Sequence, residues 1–326
     1  MRAEVSIERW ELTEVFATSR DAITHIPVIV ATLTDRDGRQ GRGEAAGVDY
    51  DGETPESMAA EIAAIAGRLD EGLSGQQLLG LLPAGGARNA LDCALWDLRS
   101  KQTGVPAWIT AGFTSLTPVT TCMTIGLCSE ADTRRKARES RAYEVIKIKL
   151  DAERHVDVVR IVREEHPQAR LIVDANQAWS RPLLERLLPG FVELGVEMIE
   201  QPVNRREDAS LDGLVSPLPL GADESCVDRA SLPGLAGRYQ FVNIKLDKCG
   251  GLTEALALRD EALARGFKLM VGNMCGTSLA MAPAFLIAQS CEFSDLDGPL
   301  LQKLDRVPPI RIDGGVMQVP PRALWG

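Results

Sequence analysis

The chain has 326 residues, of which 45% are hydrophobic and 25% are charged. That is enough to bury a sizeable core, and it predicts one large domain with a smaller partner. The net charge of −10 disfavours binding to nucleic acid or to an anionic membrane, because phosphate groups would be repelled.

The N-terminal and cysteine patterns favour a cytoplasmic protein. Residues 1–12 are polar and charged, so no secretory signal is predicted there. No stretch approaches the ~20 apolar residues that a membrane span needs. The seven cysteines form no Cys-x-x-Cys pair and lie mostly in apolar segments, so we expect reduced, buried thiols rather than disulfides or a zinc site.

Residues 1 to about 115 have the pattern of a mixed α+β unit. The apolar run 28–33 predicts a buried strand, which ends at an Asp-Arg-Asp-Gly turn at residues 35–38, and a returning strand would begin at Gly41. One helix is expected over residues 58–69, after a capping Thr54 and a first-turn Pro55. A second is expected over residues 87–101.

From residue 118 the pattern changes to alternating strands and helices. Eight short apolar runs predict strands at 118–124, 145–150, 170–174, 196–200, 218–222, 240–245, 268–272 and 291–295. Helical patterns lie between most of them, and this alternation is typical of a closed (β/α) barrel with parallel strands. An open doubly wound sheet is the alternative, but no Gly-x-Gly-x-x-Gly follows a strand.

Charged side chains fall at the carboxyl ends of successive predicted strands. In Val-Ile-Lys-Ile-Lys-Leu, Lys147 and Lys149 share one face while the apolar residues share the other. Asp174, Glu200, Asp223 and Lys245 follow at the next four strand ends, 22 to 26 residues apart, which is about one βα unit. Barrel enzymes keep their active sites at that end of the barrel.

Three of these residues are carboxylates, which suit Mg²⁺, or Mn²⁺ in its place, better than zinc. Ion pairs at strand ends would explain any one of the charged residues taken singly. Five charged residues at the same position of five successive strands are harder to explain by ion pairs, because buried charges are costly without a paired or metal partner.

The motifs Lys-Ile-Lys, Val-Asp-Ala-Asn, Glu-Gln-Pro, Ala-Asp-Glu-Ser and Asn-Ile-Lys-Leu-Asp-Lys-Cys-Gly-Gly occur in this order. They resemble the muconate lactonizing branch of the enolase superfamily over nearly the whole chain. The resemblance implies a modified TIM barrel, (β/α)₇β, over residues 116–299. It also implies an α+β capping domain over residues 1–115, completed by residues 300–326.

The resemblance also assigns roles to residues. Asp174, Glu200 and Asp223 would hold Mg²⁺, with Lys149 and Lys245 facing each other across the substrate as the acid/base pair. Lys147 would contact the substrate, and the supporting residues would be Asn176, Glu224 and Lys248. The metal would stabilise the negative charge that develops when a proton leaves the carbon beside a carboxylate. Mg²⁺ and the Lys147 ammonium would lower the pKa of the lysine base.

The eighth predicted strand indicates the substrate. It ends in Asp295 and Asp297 on one face, which resembles the Asp-x-Asp of the dipeptide epimerases, where two carboxylates hold the substrate ammonium. Arg20 resembles the arginine that binds a side-chain carboxylate in the Ala-Glu epimerases, and Thr124 resembles another substrate contact. The preferred hypothesis is therefore epimerisation of L-Ala-D/L-Glu at its C-terminal residue.

Several alternatives remain open. The seventh predicted strand has no histidine, which disfavours the mandelate racemase and sugar-acid dehydratase branches. N-acylamino acid racemase, o-succinylbenzoate synthase and cycloisomerase would use the same metal and lysines, without a need for Asp295 and Asp297. A barrel that only binds metal and a structural protein are the non-enzymatic interpretations. Gly276 stands where many relatives have an acidic residue, and a homo-oligomer is expected.

Overall fold

The computed structural model describes residues 1–18, 22–70 and 72–326. The strands are β1 (Arg2–Ala17), β2 (Ala22–Thr34), β3 (Gln40–Ala45), β4 (Val119–Thr120), β5 (Met123–Ile125), β6 (Val145–Lys149), β7 (Arg170–Asp174), β8 (Val196–Glu200), β9 (Leu220–Ala222), β10 (Phe241–Ile244), β11 (Lys268–Val271), β12 (Phe293–Ser294), β13 (Ile312–Asp313) and β14 (Val316–Met317).

The α-helices are α1 (Pro55–Ile65), α2 (Gly75–Leu78), α3 (Gly86–Thr103), α4 (Ala107–Thr110), α5 (Glu130–Glu139), α6 (Val156–Glu165), α7 (Arg181–Glu193), α8 (Leu232–Leu235), α9 (Leu246–Cys249), α10 (Leu252–Ala264), α11 (Ser278–Ala288) and α12 (Gly298–Leu301). In the described ranges, every helix is too short or too polar to traverse a lipid bilayer.

The N-terminal segment forms a three-stranded antiparallel sheet, β1-β2-β3, packed against α1 and α3. Ile29 and Leu33 of β2 are buried in one apolar cluster with Ile62 of α1 and Leu91 of α3. The helix α3 lies very close to β3, because a Cβ atom at Gly43 would be only 2.2 Å from the Ala90 carbonyl oxygen. Glycine at this position therefore lets α3 pack directly on the sheet.

The eight predicted barrel strands are confirmed. Strands β5 to β12 form one parallel sheet in sequence order. A parallel bridge between Thr121 and Ser294 joins its two edges. Inside the barrel, away from the carboxyl ends of the strands, apolar side chains fill the space: Cys122, Val145, Ile172, Met198, Phe241, Met270 and Phe293. Ile146 and Ile148 pack outward among the helices. The inward-facing side chains of β6 are therefore those of Lys147 and Lys149, as the alternation predicted.

The last residues contact both parts of the chain. Strand β14 pairs with β13 on one side and with β4, beside the barrel, on the other. The Trp325 indole donates a hydrogen bond to the Cys93 carbonyl oxygen at 3.0 Å. The Gly326 backbone N–H donates to the Asp97 carboxylate at 2.9 Å. Both partners lie on α3. The domain division at residues 115 and 300 stays a prediction.

Candidate active site

The register of the parallel strands brings the predicted residues to one end of the barrel. Lys149, Asp174 and Glu200 are paired across β6, β7 and β8. Asp223 directly follows β9, and Lys245 directly follows β10. All five side chains belong to buried residues.

The ammonium groups and carboxylates of this cluster are in direct contact. Lys149 Nζ lies 2.6 Å from Asp174 Oδ2, and Lys245 Nζ lies 2.8 Å from Asp223 Oδ2. Lys147 Nζ lies 3.1 Å from Asp174 and 2.7 Å from Glu200. The Lys147 ammonium therefore sits between two of the predicted metal ligands.

Burial and mutual charge perturb the carboxylates in different directions. Burial raises the pKa of Glu200 to about 7, and the neighbouring Asp174 charge acts in the same direction. Burial would also raise the pKa of Asp174, but the ammonium groups of Lys149 and Lys147 outweigh it and hold that pKa below the usual range. Burial also acts to raise the pKa of Asp223, but the ammonium groups of Lys245 and Lys248 outweigh it and hold that pKa well below its usual value.

The lowered pKa that Mg²⁺ and Lys147 together would give the lysine base stays a prediction. Burial and the Lys147 charge act to lower the pKa of Lys245, but Asp223 and Glu200 raise it above its usual value. The neighbouring carboxylates, Asp223, Glu200 and Glu224, thus outweigh burial and the Lys147 ammonium in setting the pKa of Lys245. Additional positive charge beside the carboxylates would be needed to reverse the direction.

Several buried residues hold the carboxylates in place. Lys248 Nζ donates to Asp223 Oδ1 at 2.6 Å and to the Asn243 carbonyl oxygen at 3.0 Å. The Asn176 backbone N–H donates to Asp174 Oδ1 at 2.8 Å, and its side-chain amide reaches Glu224 at 3.5 Å. The predicted supporting residues are therefore in contact with the cluster or with one another.

Two further supporting residues were not predicted from the sequence. Asn243 donates a 2.7 Å hydrogen bond from Nδ2 to Glu200 Oε1. The Gln201 amide oxygen accepts hydrogen bonds from the backbone N–H groups of Asp223 and Ser225, at 3.0 and 3.1 Å. Asn243 lies in the same inward phase as Lys245, so strand alternation could have identified it.

The backbone is unusual at these strand ends. In the described ranges, the non-glycine residues with positive φ are Asn176, Gln177, Gln201 and Cys275, with φ of 44°, 69°, 34° and 61°. All four follow barrel strands closely. Such conformations cost energy and tend to occur at functional sites, where the surrounding contacts enforce them.

The donor set fits a hard divalent cation. Asp174, Glu200 and Asp223 present carboxylate oxygens from three adjacent strands and are at most 1% exposed. These oxygens are, however, engaged by ammonium groups. Of the described residues, the only three acidic, Cys or His side chains whose ligand atoms all lie within 4.8 Å of one another are Cys122, Asp295 and Asp297.

Asp295 and Asp297 form a second acidic group beside Lys147. Asp295 Oδ2 lies 2.7 Å from Lys147 Nζ, and Asp295 Oδ1 accepts hydrogen bonds from Cys122 Sγ at 3.2 Å and Thr124 Oγ1 at 3.4 Å. Asp297 Oδ2 accepts the Thr124 backbone N–H at 2.8 Å. Burial and the Asp295 charge raise the pKa of Asp297 to about 7. A further cation would relieve this repulsion.

A cavity of about 440 Å³ lies over the barrel end. Lys149, Asn176 and Lys245 line it from the barrel. Its other wall comes from the N-terminal segment and is largely apolar, with Phe16, Ile23, Ile26 and Pro27 among its residues. Lys147, Thr124, Asp295 and Asp297 do not line this cavity, so their predicted substrate contacts stay predictions. Arg20 lies outside the described residues.

The structure explains the unexpected glycine at position 276. Gly276 is buried and does not line the cavity, whereas its neighbour Cys275 does. A Cβ atom at Gly276 would lie 2.6 Å from Ala280 Cβ and 3.1 Å from Glu44 Oε1. Glu44 uses this space to accept a 2.7 Å hydrogen bond from the Thr277 backbone N–H. The glycine therefore allows β3 to contact the start of α11.

Most of the chain matches models of two known families. Residues 130–323 match the family described as enolase C-terminal domain-like, and residues 2–110 match the mandelate racemase / muconate lactonizing enzyme N-terminal domain. The chain belongs to the enolase superfamily. This membership confirms the resemblance predicted from the five motifs and the barrel with a capping unit.

Two similar proteins have names that refer to glutamate derivatives. The L-Ala-D/L-Glu epimerase of Escherichia coli (strain K12) is 38% identical over 314 residues, covering 96% of this chain and 98% of the relative. An N-acetyl-D-glutamate racemase of Pseudoalteromonas sp is 42% identical over 250 residues, covering 77% of this chain and 79% of the relative.

Two solved structures are similar over nearly their full length. An enolase family member from Agrobacterium tumefaciens with homology to dipeptide epimerases, with bound sodium and L-Ala-L-Glu, is 40% identical, has a TM-score of 0.97 and covers 99% of both chains. A dipeptide epimerase from Methylococcus capsulatus, complexed with Mg and L-Arg-D-Lys, is 30% identical with a TM-score of 0.89, and the match covers 99% of this chain and 98% of that one.

Proposed function

We propose that this protein is a Mg²⁺-dependent dipeptide epimerase that inverts the Cα of the C-terminal residue, with L-Ala-D/L-Glu as its preferred substrate. One observation carries the proposal: two lysines, Lys149 and Lys245, line a single cavity beside which Asp295 and Asp297 form a buried acidic pair. The relatives from E. coli and A. tumefaciens support the dipeptide assignment by their name and bound ligand.

In this mechanism the two lysines move the proton. One neutral lysine removes the proton from the substrate Cα, and the other, as an ammonium, returns a proton to the opposite face. A divalent cation held by Asp174, Glu200 and Asp223 would supply positive charge where the substrate carboxylate becomes more negative. Asp297, together with Asp295, would bind the substrate ammonium and so orient the Cα between the lysines.

N-acetylglutamate racemisation is the second candidate, because the Pseudoalteromonas racemase is 42% identical over 250 residues. Both candidates place a glutamate at the reacting centre, and they differ in the group attached to its nitrogen. An alanyl group brings an ammonium, whereas an acetyl group brings none. The buried carboxyl of Asp297 favours the substrate with the cation, because an acetyl methyl group would leave its charge without a cationic partner, whereas Asp295 is already paired with Lys147 at 2.7 Å.

The test is deuterium incorporation at the glutamate Cα in heavy water with Mg²⁺, measured by mass spectrometry on L-Ala-L-Glu and on N-acetyl-L-glutamate. We expect rapid exchange and epimer formation with the dipeptide and much slower exchange with the acetyl compound. Exchange only with N-acetyl-L-glutamate would favour the second candidate. Exchange with neither would reject both.

Variants of the two lysines examine the mechanism separately. Lys149→Gln and Lys245→Gln should each abolish epimerisation, because each variant removes the proton-transfer group from one face of the Cα. Each variant should still exchange the Cα proton of one epimer, since the remaining lysine can remove and return it on its own face. If both variants exchange the same epimer, the lysines do not act on opposite faces.

Cytoplasmic location and assembly into a homo-oligomer stay predictions from the sequence. All seven cysteines lie in described parts of the chain and are free thiols. Burial raises the pKa of Cys93 and Cys122 well above the usual value, so these thiols are poor nucleophiles at neutral pH.

A further inference from the structure

The loop between β3 and α1, residues 46–54, forms part of the cavity wall facing the lysines. Ala46, Gly47, Asp49 and Glu53 all line the cavity. The loop comes from the N-terminal segment, so its position over the barrel depends on contacts between distant parts of the chain. Those contacts decide whether the cavity keeps its shape.

Inside the loop, one carboxylate fixes the local conformation. Glu53 Oε2 accepts the Val48 backbone N–H at 2.6 Å, and Glu53 also accepts the Gly86 N–H at the start of α3, at 2.9 Å. Gly47 and Gly52 adopt left-handed φ values of 80° and 88°, which glycine tolerates at little cost. The loop is thus a turn with a defined conformation.

Two contacts attach this turn to the barrel. The Gly47 backbone N–H donates to Asp247 Oδ1 at 2.9 Å, two residues beyond Lys245. At the other end, the Arg205 guanidinium binds Asp51 with both terminal nitrogens, one of them at 3.1 Å from Oδ2. Asp247 and Arg205 follow β10 and β8, so the two contacts hold the loop across the strands that carry Lys245 and Glu200.

Arg205 is itself held in place from the barrel side. It begins a short 3₁₀ helix that is capped by Asn204, and its backbone N–H donates to Gln177 Oε1 at 3.0 Å. Its guanidinium carbon lies 5.9 Å from the centre of the Tyr50 ring. The Arg205 and Asp51 side chains are 31% and 37% exposed, so the pair is accessible to solvent.

We propose that Arg205 is a positioning residue that fastens the β3–α1 loop to the barrel and keeps the substrate cavity closed on that side. The proposal rests on the proposed epimerase function for its kinetic consequence, but its structural consequence is independent of it. Many exposed ion pairs contribute little to stability. This pair differs in being bidentate and in joining residues 154 positions apart, one in the loop that lines the cavity and the other after β8.

The kinetic test compares Arg205→Gln, Asp51→Asn, the double variant and the exchanged pair Asp51→Arg with Arg205→Asp. With L-Ala-L-Glu, each single variant should raise KM about fivefold and leave kcat within about twofold, because the loop shapes binding and not proton transfer. The double variant should be no worse than either single one, and the exchanged pair should recover at least half of the loss. Unchanged KM in both single variants, or effects that multiply in the double variant, would overturn the proposal.

A matched control and a second readout separate this proposal from the proposed function. Arg206 is the adjacent, exposed arginine, and Arg206→Gln should leave KM unchanged. Amide hydrogen exchange of residues 46–54 should be faster in Arg205→Gln than in Arg206→Gln, whatever the enzyme's activity. Equal exchange in the two variants rejects the proposal. A wild-type protein that epimerises nothing rejects the proposed function alone, and the exchange result then still decides the role of Arg205.

Discussion

Replacing Asp297 by Asn tests the substrate assignment with little disturbance of the fold. Asp295 already binds Lys147, Cys122 and Thr124, so Asp297 retains more capacity to accept hydrogen bonds from a substrate ammonium. A hydrogen bond to a charged group contributes about 1.5–3 kcal/mol. Loss of one such bond should lower kcat/KM for L-Ala-L-Glu by roughly 10- to 150-fold.

The assay compares initial epimerisation rates of L-Ala-L-Glu with deuterium exchange of N-acetyl-L-glutamate in both proteins. The acetyl compound should be unaffected or improved, because it brings no cation. The amide oxygen that Asp297→Asn introduces can still accept the Thr124 backbone N–H, which the Asp297 carboxylate accepts at 2.8 Å. Equal losses for both compounds, or no loss for the dipeptide, would refute the reasoning.

The same variant makes a prediction about stability. The pKa of Asp297 is raised from 3.8 to about 7 in the fold. The folded state therefore holds this proton more tightly than the unfolded state, and the stability that the proton gives is lost as the pH rises from about 4 through 7. The Tm of Asp297→Asn relative to wild type should thus increase between pH 5 and pH 8. A constant difference, measured by scanning calorimetry, would contradict the raised pKa.

The remaining predictions concern residues that shape the site without touching the substrate. Gln201→Leu should weaken Mg²⁺ binding in titration calorimetry, because the Asp223 backbone N–H loses its 3.0 Å acceptor and each unpaired buried group costs about 1–3 kcal/mol. Gln201→Glu keeps that acceptor and should weaken Mg²⁺ binding less. Equal Mg²⁺ affinities in both variants and the wild type would argue against a positioning role for Gln201. Gly276→Ala should lower the Tm, because its Cβ would come within 2.6 Å of Ala280 Cβ and overpacking costs about 1–3 kcal/mol. Gly67→Ala is the control, since a Cβ there meets no atom within 4 Å, and a Tm loss equal to that of Gly276→Ala would contradict the steric explanation.

The barrel was predictable because its sequence signal is local. The alternation in Val-Ile-Lys-Ile-Lys alone separates outward Ile146 and Ile148 from inward Lys147 and Lys149, and the structure confirms both faces. The same alternation occurs in β1, where Ala3, Val5 and Ile7 alternate with Glu4 and Ser6. The polar and charged composition of this segment conceals a 16-residue strand.

Contacts between distant segments could not be read from spacing. The Asp51–Arg205 pair joins residues 154 positions apart, and the hydrogen bond between Gly47 and Asp247 joins residues 200 positions apart. Neither pair belongs to a periodic pattern. The position of the Lys147 ammonium between Asp174 and Glu200 was equally hidden, because alternation gives the face of a side chain but not its partner.

The most direct measurement of the central claim is a crystal structure of the protein with Mg²⁺ and L-Ala-L-Glu. We predict one cation at about 2.1 Å from carboxylate oxygens of Asp174, Glu200 and Asp223, with the Nζ atoms of Lys149 and Lys245 on opposite sides of the glutamate Cα. A cation bound elsewhere, or both lysines on the same side of that carbon, would contradict the account.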